Sequence, residues 1–80
     1  MRVKDYLYTN SEMENIIDEY IHSSRDRLIL KLVFIDNISY EKIAEHQEVK
    51  LSPRQVANIV NKASKVIEEV LKAKYRATAN

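Results

Sequence analysis

The stretch that decides the fold is residues 27–65, RLILKLVFIDNISYEKIAEHQEVKLSPRQVANIVNKASK. Two apolar patterns with helical spacing flank a polar connector in it: Tyr40, Ile43 and Ala44 before the connector, and Val56, Ile59, Val60 and Ala63 after it. The connector ends at Ser52–Pro53, a preferred N-cap residue followed by a preferred first-turn proline. Gln55 lies three residues after Ser52 and completes a capping-box pattern. The sequence therefore predicts a short helix, a turn and a longer helix that begins at Pro53.

Length and composition predict one small all-α domain that spans residues 1–80. The chain has 80 residues, 45% of them hydrophobic, which is enough for a single small core. It has no Gly and one Pro, whereas β-rich domains depend on such residues for tight turns. It has no Cys, which excludes disulfides and thiolate metal sites. Because no apolar run could span a membrane and the N-terminus lacks a signal-peptide core, we expect a cytoplasmic protein.

The net charge of +1 hides an uneven distribution along the chain. Residues 1–48 hold six Lys/Arg and ten Asp/Glu, whereas residues 49–80 hold seven Lys/Arg and only two Asp/Glu. The positive charge is therefore concentrated in the last predicted helix and the turn before it. This indicates a local binding surface for an anionic partner rather than general affinity for polyanions.

The first half of the chain predicts two further helices. The first begins at Asn10 or Ser11, with Ser11 and Glu14 as its capping box. Its apolar stripe comprises Met13, Ile16, Ile17, Tyr20 and Ile21. The second runs from Arg25 to about Asp36 after an N-cap at Ser24. It is apolar around most of its circumference, so we expect it at the centre of the core. A buried strand over LILKLVFI is the alternative.

The second half of the chain predicts a break and two more helices. Asn37 ends the second helix because Asn tolerates the left-handed conformation. Ser39 caps a third helix that runs from Tyr40 to about Gln47. In the connector that follows, one or both of Val49 and Leu51 are expected to pack beneath the turn. The final helix extends from Pro53 to about Lys74. The stretch from Val66 to Leu71 packs either on the first helix or on a second copy of the chain.

The final helix has two contrasting faces. One side is apolar: Val56, Ile59, Val60, Ala63, Val66, Ile67, Val70 and Leu71. The other carries Arg54, Asn58, Asn61, Lys62 and Lys65, with Gln55 at its edge and no acidic residue in between. Asn and Gln can pair with adenine, Arg with guanine, and Lys with phosphates. The face therefore predicts DNA contact, and an ordinary solvated helix surface is the alternative.

The residue types and their spacing do not indicate a catalytic site. His22 and His46 are not spaced as metal ligands, and a phosphate-binding glycine loop is impossible without Gly. The carboxylate pairs Glu12–Glu14 and Glu68–Glu69 fall on predicted exposed helix faces rather than in an apolar pocket. We therefore expect a protein that is not an enzyme and needs no cofactor.

The stretch RLILKLVFIDNISYEKIAE resembles the first half of the helix-turn-helix in region 4 of bacterial sigma-70-type factors. SPRQVANIVNKA is similar to the recognition helix, with Ser52 as cap and with Val56 and Ile59 facing inward. Small phage regulators of the RinA and ArpU type share this pattern. Two departures are that Asn37 stands where the family usually has Gly, and that the segment between Ala44 and Val56 is longer.

The resemblance implies a bundle of four to five helices with a sigma-region-4-like helix-turn-helix over about residues 39–65. It implies sequence-specific binding of double-stranded DNA by a phage or prophage transcription regulator. The predicted DNA-contacting residues are Lys50, Ser52, Arg54, Gln55, Asn58, Asn61, Lys62 and Lys65. The third helix would lie across the major groove, and a homodimer is one way to lengthen the site that is read.

Several alternatives stay open at this point. Such domains also bind RNA polymerase or an anti-sigma partner, and small terminase subunits that package phage DNA use helix-turn-helix domains. A helical bundle with no nucleic-acid role is a further one. Residues 1–10 either cover the core through Tyr6, Leu7 or Tyr8, or form a basic arm that touches DNA through Arg2 and Lys4.

Overall fold

The computed structural model describes Val3 and residues 6–78, with side chains up to Lys74. Four helices follow one another: α1 (Asn10–Tyr20), α2 (Ser24–Phe34), α3 (Tyr40–Ala44) and α4 (Pro53–Thr78). No strand occurs among these residues, so the all-α prediction is confirmed. The segment LILKLVFI, for which a strand was the alternative, is helical except at its last residue.

Helix α1 begins at Asn10, one of the two predicted starts, but its capping residues differ from the predicted ones. Its N-cap is Thr9, whose Oγ1 accepts a hydrogen bond from the Glu12 backbone N–H at 3.1 Å, while Glu12 Oε1 accepts from the Thr9 N–H at 3.2 Å. The predicted capping box of Ser11 and Glu14 is wrong by two residues. Both pairs have the spacing of a capping box, but only Glu12 also reaches Lys74 of α4. That tertiary contact is invisible in the local sequence.

Helix α2 begins and ends earlier than predicted. Its N-cap is Ser23 rather than Ser24, and its last helical residue is Phe34 rather than Asp36. Asn37 adopts the expected left-handed conformation, with φ 57°. The Ile38 N–H then donates to the Leu32 carbonyl at 2.9 Å, which gives a partner to one of the carbonyls at the end of the helix. The chain therefore leaves the helix two residues before Asp36.

Helix α3 begins as predicted but is shorter. Ser39 is the N-cap, and the helix ends at Ala44 instead of Gln47. The chain then turns around His46, whose carbonyl accepts from the backbone N–H groups of both Val49 and Lys50, at 3.0 and 3.1 Å. This turn brings Val49 into the core, with 5% of its surface exposed. Burial of Val49 is incompatible with a straight helix that continues to Gln47.

Helices α2 and α4 each contact the three other helices, and the longer of the two is α4. It has 26 residues and extends to Thr78, past the predicted end. The buried residues form one core: Val3, Tyr6, Met13, Ile16, Ile17, Ile21, Ile29, Leu30, Ile43, Ala44, Val49, Val56, Val60, Ala63, Ile67 and Leu71. Helix α2 contributes its two fully buried residues, Ile29 and Leu30, and its other apolar side chains are half-buried. The expected central position of α2 is therefore only partly realised.

The far end of α4 packs on α1, one of the two predicted alternatives. Ile67 and Leu71 are buried in the common core, and Lys74 pairs with Glu12 of α1. Val66, which the helical pattern placed on the same apolar stripe, is 42% exposed. The stretch proposed as an interface between two copies is thus largely used within one chain.

The N-terminal arm covers part of the core. Val3 and Tyr6 are buried and Tyr8 is half-buried, but Leu7 is 86% exposed, so of the three predicted covering residues Leu7 takes no part. Arg2 and Lys4, the residues of the alternative basic arm, lie outside the described residues. No helix in the described part of the chain is both long and apolar enough to cross a membrane.

Candidate nucleic-acid interface

The candidate site begins at the first turn of α4. The Gln55 backbone N–H donates to Ser52 Oγ at 3.2 Å, and Gln55 Oε1 accepts from the Ser52 N–H at 3.0 Å. The predicted capping box is therefore present. The Val56 N–H donates to the Ser52 carbonyl at 3.0 Å, which makes Ser52 the N-cap and Pro53 the first helical residue. Such a cap stabilises a helix by about 1 kcal/mol.

All eight residues predicted to contact DNA are exposed. They are Lys50, Ser52, Arg54, Gln55, Asn58, Asn61, Lys62 and Lys65. On the other side of the helix Val56, Val60 and Ala63 are buried, so the two faces separate as the helical period requires. We call Arg54, Asn58, Asn61, Lys62 and Lys65 the α4 face.

The three cations of α2 are used within the fold. Arg27 donates to the Ile21 and His22 carbonyls at the end of α1. Lys31 of α2 lies 2.8 Å from Asp18, and Arg25 lies 3.4 Å from its neighbour Asp26. Arg27 and Lys31 therefore link α2 to α1, whereas Arg25 pairs with a neighbour on its own helix.

The cations of the α4 face are different. Within the described residues, the side chains of Arg54, Lys62 and Lys65 make no hydrogen bond or ion pair, and neither does that of Lys50. Asn58 and Asn61 likewise have no side-chain partner there. The α4 face therefore presents charge and hydrogen-bonding groups that the fold itself leaves unused.

The surface formed by α3 and the turn after it is net negative, with three exposed Glu and one exposed Lys, Lys42. Glu41 on α3, together with Glu45 and Glu48 in the turn after it, is exposed. Among the described residues none of these carboxylates takes part in an ion pair. A polyanion is therefore attracted to the α4 face and repelled from this part of α3 and the turn, which restricts the orientations in which it can bind.

Lys50 lies between α3 and α4 in an uncommon backbone conformation. Its φ is 49°, in the left-handed region where a side chain beyond Cβ has a steric cost. The sequence pattern did not single out this feature, because left-handed turns are usually marked by Gly or Asn. The turn places an exposed ammonium group just before the first turn of α4.

An open groove of about 1050 Å³ runs beside the α4 face. Val33 and Phe34 of α2, with Ile38 after it, contribute apolar surface, and the α4 side supplies Asn61 and Lys65. Tyr40, 37% exposed, lies at its edge. Sequence reasoning missed this groove; the signal was the surplus of apolar residues in α2, more than a small helix can bury.

The titratable groups with perturbed pKa values lie away from the α4 face. The pKa of Glu12 is lowered, first by the backbone hydrogen bond from Thr9 and then by Lys74. Burial raises the pKa of the Tyr8 hydroxyl. His46 is half-buried, and its Nδ1 accepts from the Glu48 backbone N–H at 3.1 Å. Among the described residues, no group of three or more His, Asp or Glu side chains could hold a metal ion.

No family model, curated protein or solved structure gives a significant match to this chain. The similarity to sigma region 4 therefore remains a prediction drawn from residues 27–65. Function has to be argued from the geometry and charge of the surface.

Proposed function

We propose that this protein binds double-stranded DNA sequence-specifically, with α3 and α4 acting as a helix-turn-helix of the sigma-region-4 type. The observation that carries the proposal is the α4 face, where two exposed Asn and three cations have no partner within the described fold. Its use would be in transcription regulation of the phage or prophage kind, without catalysis.

The first two turns of α4 supply the groups suited to base edges. Arg54 and Asn58 are exposed there, and recognition helices contact bases with their N-terminal residues. Arg pairs with two acceptors of guanine, and Asn pairs with the donor and acceptor of adenine. These two side chains would therefore carry most of the sequence preference.

Further along α4, Asn61, Lys62 and Lys65 would follow the phosphate backbone. Together with Lys50 they place cations at both ends of the reading segment. Contacts of this kind add affinity that falls as salt rises but carry little sequence information. The acidic patch of Glu41, Glu45 and Glu48 would have to point away from the phosphates, which limits how closely α3 crosses the groove.

An ordinary solvated helix face accounts less well for these observations. Exposed helix surfaces usually mix acids with bases because such pairs stabilise the helix. Asn also has a lower helix propensity than Lys, Glu or Gln, so two Asn in the middle of α4 weaken it slightly. The α4 face therefore reduces local stability while offering base-pairing groups.

The test is selection of bound sequences from a random duplex library, with the 80-residue chain as bait. Enrichment of a defined sequence, with the preference at one position lost on Asn58→Ala or on Arg54→Ala, is the expected result. A palindrome would show that a homodimer binds, which would lengthen the site. If the library stays random and binding is insensitive to salt, the proposal fails.

A protein-binding module is the second candidate, and the groove beside the α4 face favours it. Its apolar lining and the half-exposed ring of Tyr40 could accept an apolar side chain of a protein such as RNA polymerase. Capture of purified polymerase, abolished by Tyr40→Ala and accompanied by no DNA mobility shift, would support this candidate over DNA binding.

A further inference from the structure

The side-chain amide of Gln55 has a defined orientation. Its Oε1 accepts from the Ser52 backbone N–H at 3.0 Å, and because a backbone N–H can only donate, the atom that faces it must be the oxygen. The Gln55 backbone N–H returns a bond to Ser52 Oγ at 3.2 Å, so the pair is closed on both sides. The side chain of Gln55 is exposed, and its amide NH2 group remains free.

Its neighbours on the helix have different hydrogen-bonding capacity. Arg54 carries donors only, so the first turn of α4 offers donors from both Arg54 and Gln55. Asn58, one turn later, makes no side-chain hydrogen bond within the described residues and keeps both its acceptor and its donors. The helix thus presents a donor-only turn followed by an amide that both donates and accepts.

Resting on the proposed DNA binding, we infer that Gln55 reads guanine rather than adenine, and that Asn58 reads an adenine close by. In the major groove guanine offers two acceptors, N7 and O6, whereas adenine offers one acceptor and one donor. The oxygen of Gln55 is turned into the cap, so the NH2 donors face outward and the adenine N6 donor meets no acceptor there. Asn58 meets both requirements of adenine.

The spacing along the helix sets the distance between the two bases. Gln55 and Asn58 are three residues apart, a rise of about 4.5 Å along the helix axis. Base pairs are about 3.4 Å apart along DNA. The guanine and the adenine therefore lie within about two base pairs of each other in the target site.

An adenine contact by Gln55 would require the cap to open. The side chain would have to rotate, which leaves the Ser52 N–H without its partner at the start of α4. The geometry of the free protein therefore opposes the bidentate contact that an unconstrained Gln would make.

The experiment compares library selections with the wild type, Gln55→Glu, Gln55→Ala and Asn58→Ala. Gln55→Glu keeps an oxygen in the cap but replaces the outward NH2 by a second oxygen, which suits the cytosine N4 donor. We expect the guanine position to change to cytosine in Gln55→Glu and to lose its preference in Gln55→Ala. Asn58→Ala should lose the adenine and keep the guanine.

Two measurements separate base reading from other effects of the substitution. Like-charge repulsion by the new carboxylate lowers affinity for all sequences, but it does not change which base is preferred at one position. Unchanged thermal unfolding of Gln55→Glu, followed by circular dichroism, would show that the cap is intact. Affinity of this variant for the wild-type site should fall roughly ten-fold or more relative to the cytosine-containing site.

The possible failures are distinguishable. An adenine at the position that responds to Gln55, or the same preference in the wild type and in Gln55→Glu, overturns the inference and leaves the DNA-binding proposal standing. A wild-type selection that enriches no sequence overturns the proposed function, and the inference with it.

Discussion

Lys74 Nζ lies 3.4 Å from Glu12 Oε2, although the two residues are separated by 62 positions in the sequence. The contact joins the C-terminal half of α4 to the first turn of α1, where Glu12 also accepts the Thr9 N–H of the capping box. The Glu12 carboxylate therefore both caps α1 and links α1 to α4. The ion pair with Lys74 requires a charged carboxylate, and the charge also strengthens the hydrogen bond from the Thr9 N–H.

The first prediction concerns pH. Because the pKa of Glu12 is lowered in the folded state, its contribution to stability is present above the unfolded-state pKa and is lost as pH falls through the folded value. We expect the melting temperature to fall more steeply below about pH 5 in the wild type than in Glu12→Gln. Thermal unfolding across the pH range measures this, with Glu69→Gln, an exposed carboxylate on α4, as control. Equal slopes for the wild type and Glu12→Gln would contradict the assignment.

The second prediction concerns base reading. Asn58→Ala should weaken binding to the selected site by about 1–3 kcal/mol and relax specificity at one position. Asn15→Ala is the matched control, because it removes the same group from an exposed position on α1. Fluorescence anisotropy with matched and mutated duplexes gives both quantities. An equal loss in the two variants would mean that the α4 face is not the reading surface.

The third prediction concerns phosphates. Replacing Lys62 and Lys65 together by Ala should reduce the slope of log affinity against log salt by about two, because each phosphate contact releases about one counterion. The loss should be uniform across sequences. Arg25→Ala, which removes a charge already paired with Asp26, should leave the slope unchanged. Titrations at several salt concentrations would show whether the two variants differ.

The fourth prediction concerns Lys50 and its left-handed backbone. Lys50→Gly should stabilise the protein by about 0.5–1 kcal/mol because Gly has no Cβ to clash, while it weakens DNA binding by removing a cation. Lys50→Ala loses the same charge but keeps the Cβ, so it should weaken binding without the gain. Denaturant unfolding and DNA titration of both variants test this. Better DNA binding by Lys50→Gly would show that the charge is not used.

The fifth prediction concerns the far end of α4. Leu71, 1% exposed, should cost about 2–5 kcal/mol of stability when replaced by Ala, because it lies in the core where α4 packs on α1. Val66→Ala, at a position 42% exposed, should cost well under 1 kcal/mol. Urea unfolding curves provide the comparison. A large cost for Val66→Ala that depends on protein concentration would instead reveal a dimer interface.

Local sequence signals were sufficient at some boundaries and misleading at others. Ser39 and Ser52–Pro53 are caps in the structure as predicted, and Asn37 is left-handed, because short polar side chains act on the backbone within a few residues. The sequence predicts the α1 capping box at Ser11 and Glu14 instead of Thr9 and Glu12, because two overlapping segments satisfy the same capping pattern. Of the two carboxylates, Glu12 also contacts Lys74 of α4.

The exposed position of the α4 face also followed from the sequence, since a period of 3.6 residues separates Val56 and Val60 from Asn58 and Lys62 on a helix of this length. The groove beside the α4 face could not be predicted from the sequence. Phe34 and Tyr40 belong to different helices, and their distance from Lys65 depends on how α2, α3 and α4 cross.

The chain by itself specifies four helices, their strongest caps and the two-sided character of α4, because those features depend on residues within one or two turns of each other. The tertiary structure decides where α3 ends, because Val49 must turn into the core. It also decides that Ile67 and Leu71 are buried within one chain, and that the cations of the α4 face stay unpaired while those of α2 do not. These outcomes depend on packing between segments far apart in sequence, which no local pattern encodes.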